Sequence, residues 1–137
     1  MVRRLQAVFE RQEREDRPRL ERALTGRGIL AVLPELARES ETMPGLVLLD
    51  ATMQAEAIRE DHPAHEFTRR RIDQLNADIR RELERERGLG RLRADLDLDL
   101  TTRQLSAMAR GLQIQWLYDP SVDMAAHLEA YLAFLRA

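Results

Sequence analysis

Apolar positions recur three and four residues apart along nearly the whole chain, a spacing that predicts helices and not strands. In the last third, Thr101 to Leu135, the pattern resolves into two helices joined by a tight Asp119-Pro120-Ser121 turn. At about 100° per residue, Leu105, Met108, Ala109, Leu112 and Trp116 form one apolar stripe on the first helix. Ala107, Gly111, Ile114 and Tyr118 form a second stripe on roughly the opposite side. On the second helix Met124, Leu128, Tyr131, Leu132 and Leu135 make a large apolar face, and Ala126, Ala130 and Ala133 make a separate face of small residues. A surface helix needs one apolar stripe, and two stripes predict burial on two sides. Gly111 in a helix interior costs roughly 1 kcal/mol against Ala, which predicts a close approach by another helix. One side then closes the chain's own core. The other, with Ala107, Gly111, Ile114, Tyr118, Ala126, Ala130, Ala133 and Phe134, meets a second copy in a four-helix bundle about a two-fold axis.

Upstream, Val2, Leu5, Val8 and Phe9 are helically spaced, and an almost wholly charged segment follows. No capping signal precedes this pattern, so the chain reads as starting in mid-helix. Pro18 predicts a break or kink, and Gly26-Arg27-Gly28 predicts a loop. Ile29, Leu30, Leu33, Leu36 and Ala37 predict the next helix despite Pro34. Another opens near Pro44, a favoured residue at helix starts. It is apolar nearly all round, which predicts a central, buried helix. Asp61-His62-Pro63 reads as an elbow, with Pro63 as the first residue of a long helix whose seam is Ile72, Leu75, Ile79 and Leu83. Gly88 and Gly90 end it. The alternating Leu92, Leu96, Leu98 and Leu100 suggest a strand, but a lone strand has nothing to pair with, and a loop with apolar anchors is expected. Thr101 with Gln104 reads as a capping box. The expected fold is all-α, a bundle of about six helices, with residues 1–25 a separate leading helix and 26–137 one domain.

The segment GLQIQWLYDP, followed by VDMAAHLEAYLAFL, resembles the end of the regulatory domain of TetR-family transcriptional repressors. MPGLVLLDATMQAEAIREDHPAHEF resembles the middle of the same domain, and the likeness spans residues 27–136. It implies a homodimer joined through the last two helices and a small, largely apolar effector held in the bundle. It also implies a linker helix at the start of the chain that passes the effector's influence to DNA-binding heads. Nothing before Gly28 reads as a helix-turn-helix, so DNA is expected as a partner only through an N-terminal domain that this chain lacks. The alternative is a stand-alone dimerisation or small-ligand-binding module that forms inactive heterodimers with a full-length regulator.

Composition narrows the choice. The 137 residues carry 22 basic groups, all of them Arg, against 24 acidic ones, a net charge of −2. That balance gives no electrostatic case for nucleic acid or anionic membrane. With no Cys there is no disulfide and no thiolate chemistry. No apolar run approaches the ~20 residues that span a bilayer, there is no signal-peptide pattern, and the cytoplasm is the expected compartment.

Candidate chemistry is sparse. Asp61, His62, His65 and Glu66 gather metal-capable groups, but the zinc signature of two His four apart is absent. A hydrogen bond across the elbow, for example to Glu56, is the expected role of His62 or His65, with no metal. Ser40, Ser106 and Ser121 lack a nucleophile setting, so no catalytic residue and no cofactor is expected. The Arg run at 69–71 reads as a solvated face. The expected effector pocket is lined by Leu33, Leu49, Met53, Ile72, Leu75, Met108, Leu112 and Trp116, with Glu56, Asn76 and Gln115 as its polar points. Each polar group has a structural alternative: Glu56 as an ion-pair partner, Asn76 and Gln115 as partners of the backbone or the dimer seam. With no recognition helix and a slightly negative charge, this 137-residue chain is expected to give no sequence-specific shift of DNA in a low-salt mobility assay. A sequence-specific shift by this chain alone would overturn that reading.

Overall fold

A computed structural model describes residues 2–137, with the side chain of Val2 left aside. Six helices follow in order: α1 (Val2–Arg27), α2 (Ile29–Ser40), α3 (Pro44–Glu56), α4 (His65–Gly88), α5 (Leu98–Tyr118) and α6 (Met124–Leu135). The fold is all-α. The core is built from Ile29 and Leu30 of α2, Ile79 and Leu83 of α4, the Leu105–Leu112–Trp116 stripe of α5 and the Met124–Leu128–Leu132–Leu135 stripe of α6. α2 packs most extensively on α6, and α4 and α5 form the other large contact.

Local chemistry explains most boundaries. Pro44 occupies the first turn of α3, where its missing N–H costs nothing. Asp97 caps α5 by accepting from the Leu100 N–H, and Asp123 caps α6 by accepting from the Ala126 N–H. Between them, Asp119 Oδ1 accepts from the Ser121 N–H at 3.0 Å and from its hydroxyl at 2.6 Å, closing the predicted turn.

Several expectations are corrected. α1 runs through Pro18 as one helix. A proline removes one backbone hydrogen bond, and here side-chain pairs four residues apart, Arg11–Glu15, Gln12–Asp16 and Arg17–Glu21, brace the turns around it. The 26–28 loop shrinks to Gly28 alone, because a residue at φ 81°, ψ 164° turns the chain in one step. Pro63 does not open α4: residues 57–64 form turns, and the helix begins at His65. The capping box at Thr101 is not used, since Asp97 starts α5 a turn earlier and takes Leu98 and Leu100 into the helix. Leu92 does find a partner, in an isolated antiparallel bridge with Arg136. Arg93 N–H donates to Leu135 O at 2.9 Å, and Ala137 N–H donates to Arg91 O at 3.1 Å. α3 is peripheral and not central: only Val47 and Met53 are buried, and Leu48 is exposed.

A buried charge sits where these elements meet. Glu86, near the end of α4, is 2% exposed. Its carboxylate accepts from Arg91 Nε at 2.6 Å and Nη2 at 3.0 Å, a bidentate pair. The hydrogen bonds that Arg91 donates to Glu86 are the first cause of its raised pKa, and the carboxylate's charge adds to the shift. Gly28 makes room for this carboxylate, for a Cβ there would overlap Glu86 Oε1. Gly28 also holds a backbone conformation that is essentially restricted to glycine, at a cost of about 1–3 kcal/mol for any other residue. Gly28→Ala should therefore lower the melting temperature by roughly 5–10 °C. Gly45→Ala, where nothing lies within 4 Å of the new methyl group, should leave it unchanged or slightly higher. Equal melting temperatures for the two variants would contradict the role given to Gly28.

Candidate functional site

The two best-formed depressions among the described residues are not lined by the residues named for the predicted apolar pocket. Met53, Leu112 and Trp116 are buried, and the last two belong to the core cluster itself. Leu33, Leu49, Asn76 and Met108 are half-buried, while Ile72 and Leu75 are exposed at 39% and 42%. Glu56 and Gln115 are exposed and cannot be polar points of an interior. The physical reason is that α3 lies at the edge, so its C-terminal residue Glu56 is in solvent, and Gln115 falls on the outer side of α5. The two best-formed depressions lie elsewhere and are open. One of about 480 Å³ is lined by Pro18, Glu21, Arg22, Thr25 and Gly26, and one of about 240 Å³ by Glu10, Glu13, Arg14 and Arg17.

What the same three helices do bring together is charge. Asp50 of α3 accepts from Arg110 Nη1 of α5 at 2.9 Å and from Arg71 Nη1 of α4 at 3.3 Å. Gln54 donates to both Asp50 oxygens, at 3.2 and 3.3 Å, and Gln113 Oε1 accepts from Arg110 at 2.9 Å. The three charged side chains are partly desolvated, with Asp50 19%, Arg71 26% and Arg110 32% exposed. Arg71 also lies over the Phe9 ring at 4.5 Å and the Phe67 ring at 5.7 Å, both within cation–π range. Nearby on α4, Asn76 Oδ1 and the Thr68 hydroxyl are buried without a hydrogen-bond partner, as is the Thr102 hydroxyl on α5.

Sequence reading passed over this cluster. A signal was present: Asp50 is the one charge in α3 before its terminal Glu56, and a lone acid in an apolar helix needs a partner. The Arg run was read as solvated, and Arg69 and Arg70 are exposed, but Arg71 turns inward. At the elbow, His65 Nδ1 hydrogen-bonds Ala57 O at 2.7 Å and His62 Nδ1 accepts from the Ala64 N–H at 3.0 Å, so neither reaches Glu56. Among the described residues no group of three or more His, Asp or Glu side chains is arranged to hold a metal ion.

The residues assigned to a second copy all fall on one chain's surface. Ala107, Ala126, Ala130 and Ala133 are exposed, as are Ile114 at 40%, Tyr118 at 89% and Phe134 at 73%. Gly111 is half-buried, and a Cβ built on it meets nothing within 4 Å. The close backbone approach expected at Gly111 is therefore not made by any helix of its own chain.

α1 joins this region from the side. Glu13 accepts from Arg71 Nε at 3.1 Å, Arg17 donates to Asp78 at 3.4 Å, and Arg85 donates to Thr25 O at 3.1 Å. The partners are 58, 61 and 60 residues apart, so α1 and α4 run parallel, side by side. Their backbones scarcely approach, and Phe9 is the one fully buried apolar residue of α1 among those described. No protein-family profile, no curated protein and no solved structure matches this chain. No described helix is long and apolar enough to cross a membrane.

A helix held sideways mainly by exposed ion pairs should respond to salt, since the screening length falls from about 10 Å at 0.1 M to 3 Å at 1 M. At about 0.2–1 kcal/mol per pair, amide hydrogen exchange over residues 3–17 should quicken roughly 3–10-fold between 0.05 and 1 M NaCl. Exchange in α5 should stay within about twofold, its protection resting on buried side chains. Uniform acceleration across the chain would refute this account of α1.

Proposed function

We propose that this chain is the effector-sensing and dimerisation domain of a TetR-like transcriptional repressor. Two copies join through α5 and α6, and a small, largely apolar effector acts among α3, α4 and α5. The observation that carries this reading is the outer face of α5 and α6. There Ile114, Tyr118 and Phe134 lie exposed beside Gly111 and a row of alanines, on helices whose opposite sides already close the core. Exposed apolar patches of this kind mark interaction sites, and small residues let two helix backbones come close. The two segments that resemble the family, in their order along the chain, point the same way. α1, tied to α4 mainly by ion pairs with Phe9 as its one fully buried apolar anchor, is suited to move when the effector site changes. Such coupling needs an effector with different affinities for two arrangements of α1. DNA is then reached only through a separate N-terminal domain.

An obligate interface of this kind buries roughly 2,000 Å² or more in total, and the wild type should sediment as a dimer at micromolar concentration. Gly111→Leu fills the space over the helix backbone, and overpacking costs about 1–3 kcal/mol at each copy. Because a Cβ at Gly111 meets nothing within 4 Å in its own chain, the variant should keep its helical circular dichroism while its dimer dissociates at concentrations where the wild type holds. A monomeric wild type, or a Gly111→Leu dimer as tight as wild type, would move the partner to another face.

A further inference from the structure

We propose that the Asp50–Arg71–Arg110 cluster is the receptor for an amphipathic carboxylate, with Asp50 competing against the ligand's carboxylate for the two guanidiniums. This rests on the sensing role proposed above and names the chemical class of the effector.

The stoichiometry of charge comes first. Two guanidiniums converge on one carboxylate, and the other acid near them, Glu13, is 60% exposed and screened by solvent. Formally the two arginines and two acids balance, but only Asp50 offsets the guanidiniums from within the partly desolvated part of the cluster, where an added anion interacts more strongly than on the open surface. The contrast with Glu86–Arg91 is direct: there one acid meets one base, and both carboxylate oxygens are taken up by the same guanidinium.

Donor capacity comes second. A guanidinium has five N–H donors in a fixed fork. Among the described residues, Arg71 uses Nε for Glu13 and Nη1 for Asp50, and Arg110 uses only Nη1, for Asp50 and Gln113. Nη2 of Arg71 and both Nε and Nη2 of Arg110 make no hydrogen bond to those residues. Neither arginine engages Asp50 in the two-pronged geometry that makes such pairs strong, so a carboxylate can meet the open Nε–Nη2 edge of Arg110 in a better geometry than Asp50 does and reach the remaining Nη2 of Arg71. At 26% and 32% exposure the two side chains remain reachable from solvent.

The surroundings supply the apolar half. Arg71 lies against the Phe9 and Phe67 rings. Ile72 and Leu75, one and four residues further along α4, are apolar and accessible, and Leu75 shares the helix face of Arg71. A ligand with its carboxylate on the arginines has hydrocarbon to lie along.

Isothermal titration calorimetry of the full chain at low salt, with octanoate, 1-octanol and acetate as probes, tests this. Octanoate should bind saturably, at least about tenfold more tightly than either control, because it alone carries both the charge and the apolar body. Asp50→Asn removes the internal competitor and should tighten octanoate binding several-fold, a direction that partial unfolding cannot imitate. Arg110→Met should weaken it about tenfold or more. Arg110→Lys, which keeps the charge and loses the fork, should fall between. Absence of saturable octanoate binding, octanol binding as tight as octanoate, or weaker binding by a well-folded Asp50→Asn would each overturn the proposal. Sedimentation of the same samples separates the two readings. A dimer that ignores octanoate rejects the anion site alone, and a monomer that binds octanoate rejects the dimer and leaves the site standing.

Discussion

A carboxylate placed out of water must be paired and fully hydrogen-bonded, and that requirement at Glu86 shapes the rest of this fold. Meeting it takes the guanidinium of Arg91 from the loop after α4 and an absent side chain at Gly28. Arg91 is drawn to one place, so the segment from Arg91 to Arg93 lies against the end of α6, where Leu92 bridges to Arg136. The same glycine sets the angle at which α1 gives way to α2. One ion pair thus positions the start of α2, the end of α4 and the end of α6, the elements that close the core.

The second charged cluster is built on the opposite logic. Glu86 and Arg91 satisfy one another and are closed to additions. Asp50 divides its oxygens between two helices, and both arginines keep donors in reserve. Arg71 belongs at once to α4, to the Asp50 cluster and, through Glu13 and Phe9, to α1. Whatever alters the hold of Arg71 on Asp50 alters a contact of α1 as well. This is a physical link between the place an effector would act and the one helix of the bundle that is fastened mostly by charge.

The helices were legible because their periodicity is a direct imprint of burial. The stripes of α5 and α6 lie in the core as their spacing requires, and the seam of α4 was right at Ile79 and Leu83. Ile72 and Leu75, on the same seam, stay exposed although Thr68 before them and Ile79 after them are buried, because no described helix covers the middle of that seam. α3 misled for a related reason: its apolar residues are numerous but its neighbours few, and hydrophobicity alone does not say how many partners a helix has. Boundaries failed where a competing local interaction won, as when Asp97 capped α5 ahead of Thr101. Charge was the least legible feature. Arg71 stands in a run of three arginines, and only the tertiary fold distinguishes it from Arg69 and Arg70.

The pairing of α2 with α6 has a consequence for the way the chain is made. α2 is complete by Ser40, yet the helix it packs on most extensively ends at Leu135. The α4–α5 hairpin, a local contact, can form while synthesis continues. By contrast Ile29, Leu30 and Val32, all buried in the finished fold, await the last of the six helices to emerge. At about 5–20 residues per second, that interval lasts several seconds. During it α2 presents an uncovered apolar face to other nascent chains and to chaperones. The core is therefore sealed only when α6 docks on α2, and loss of α6 would leave an early-made helix with nowhere to bury.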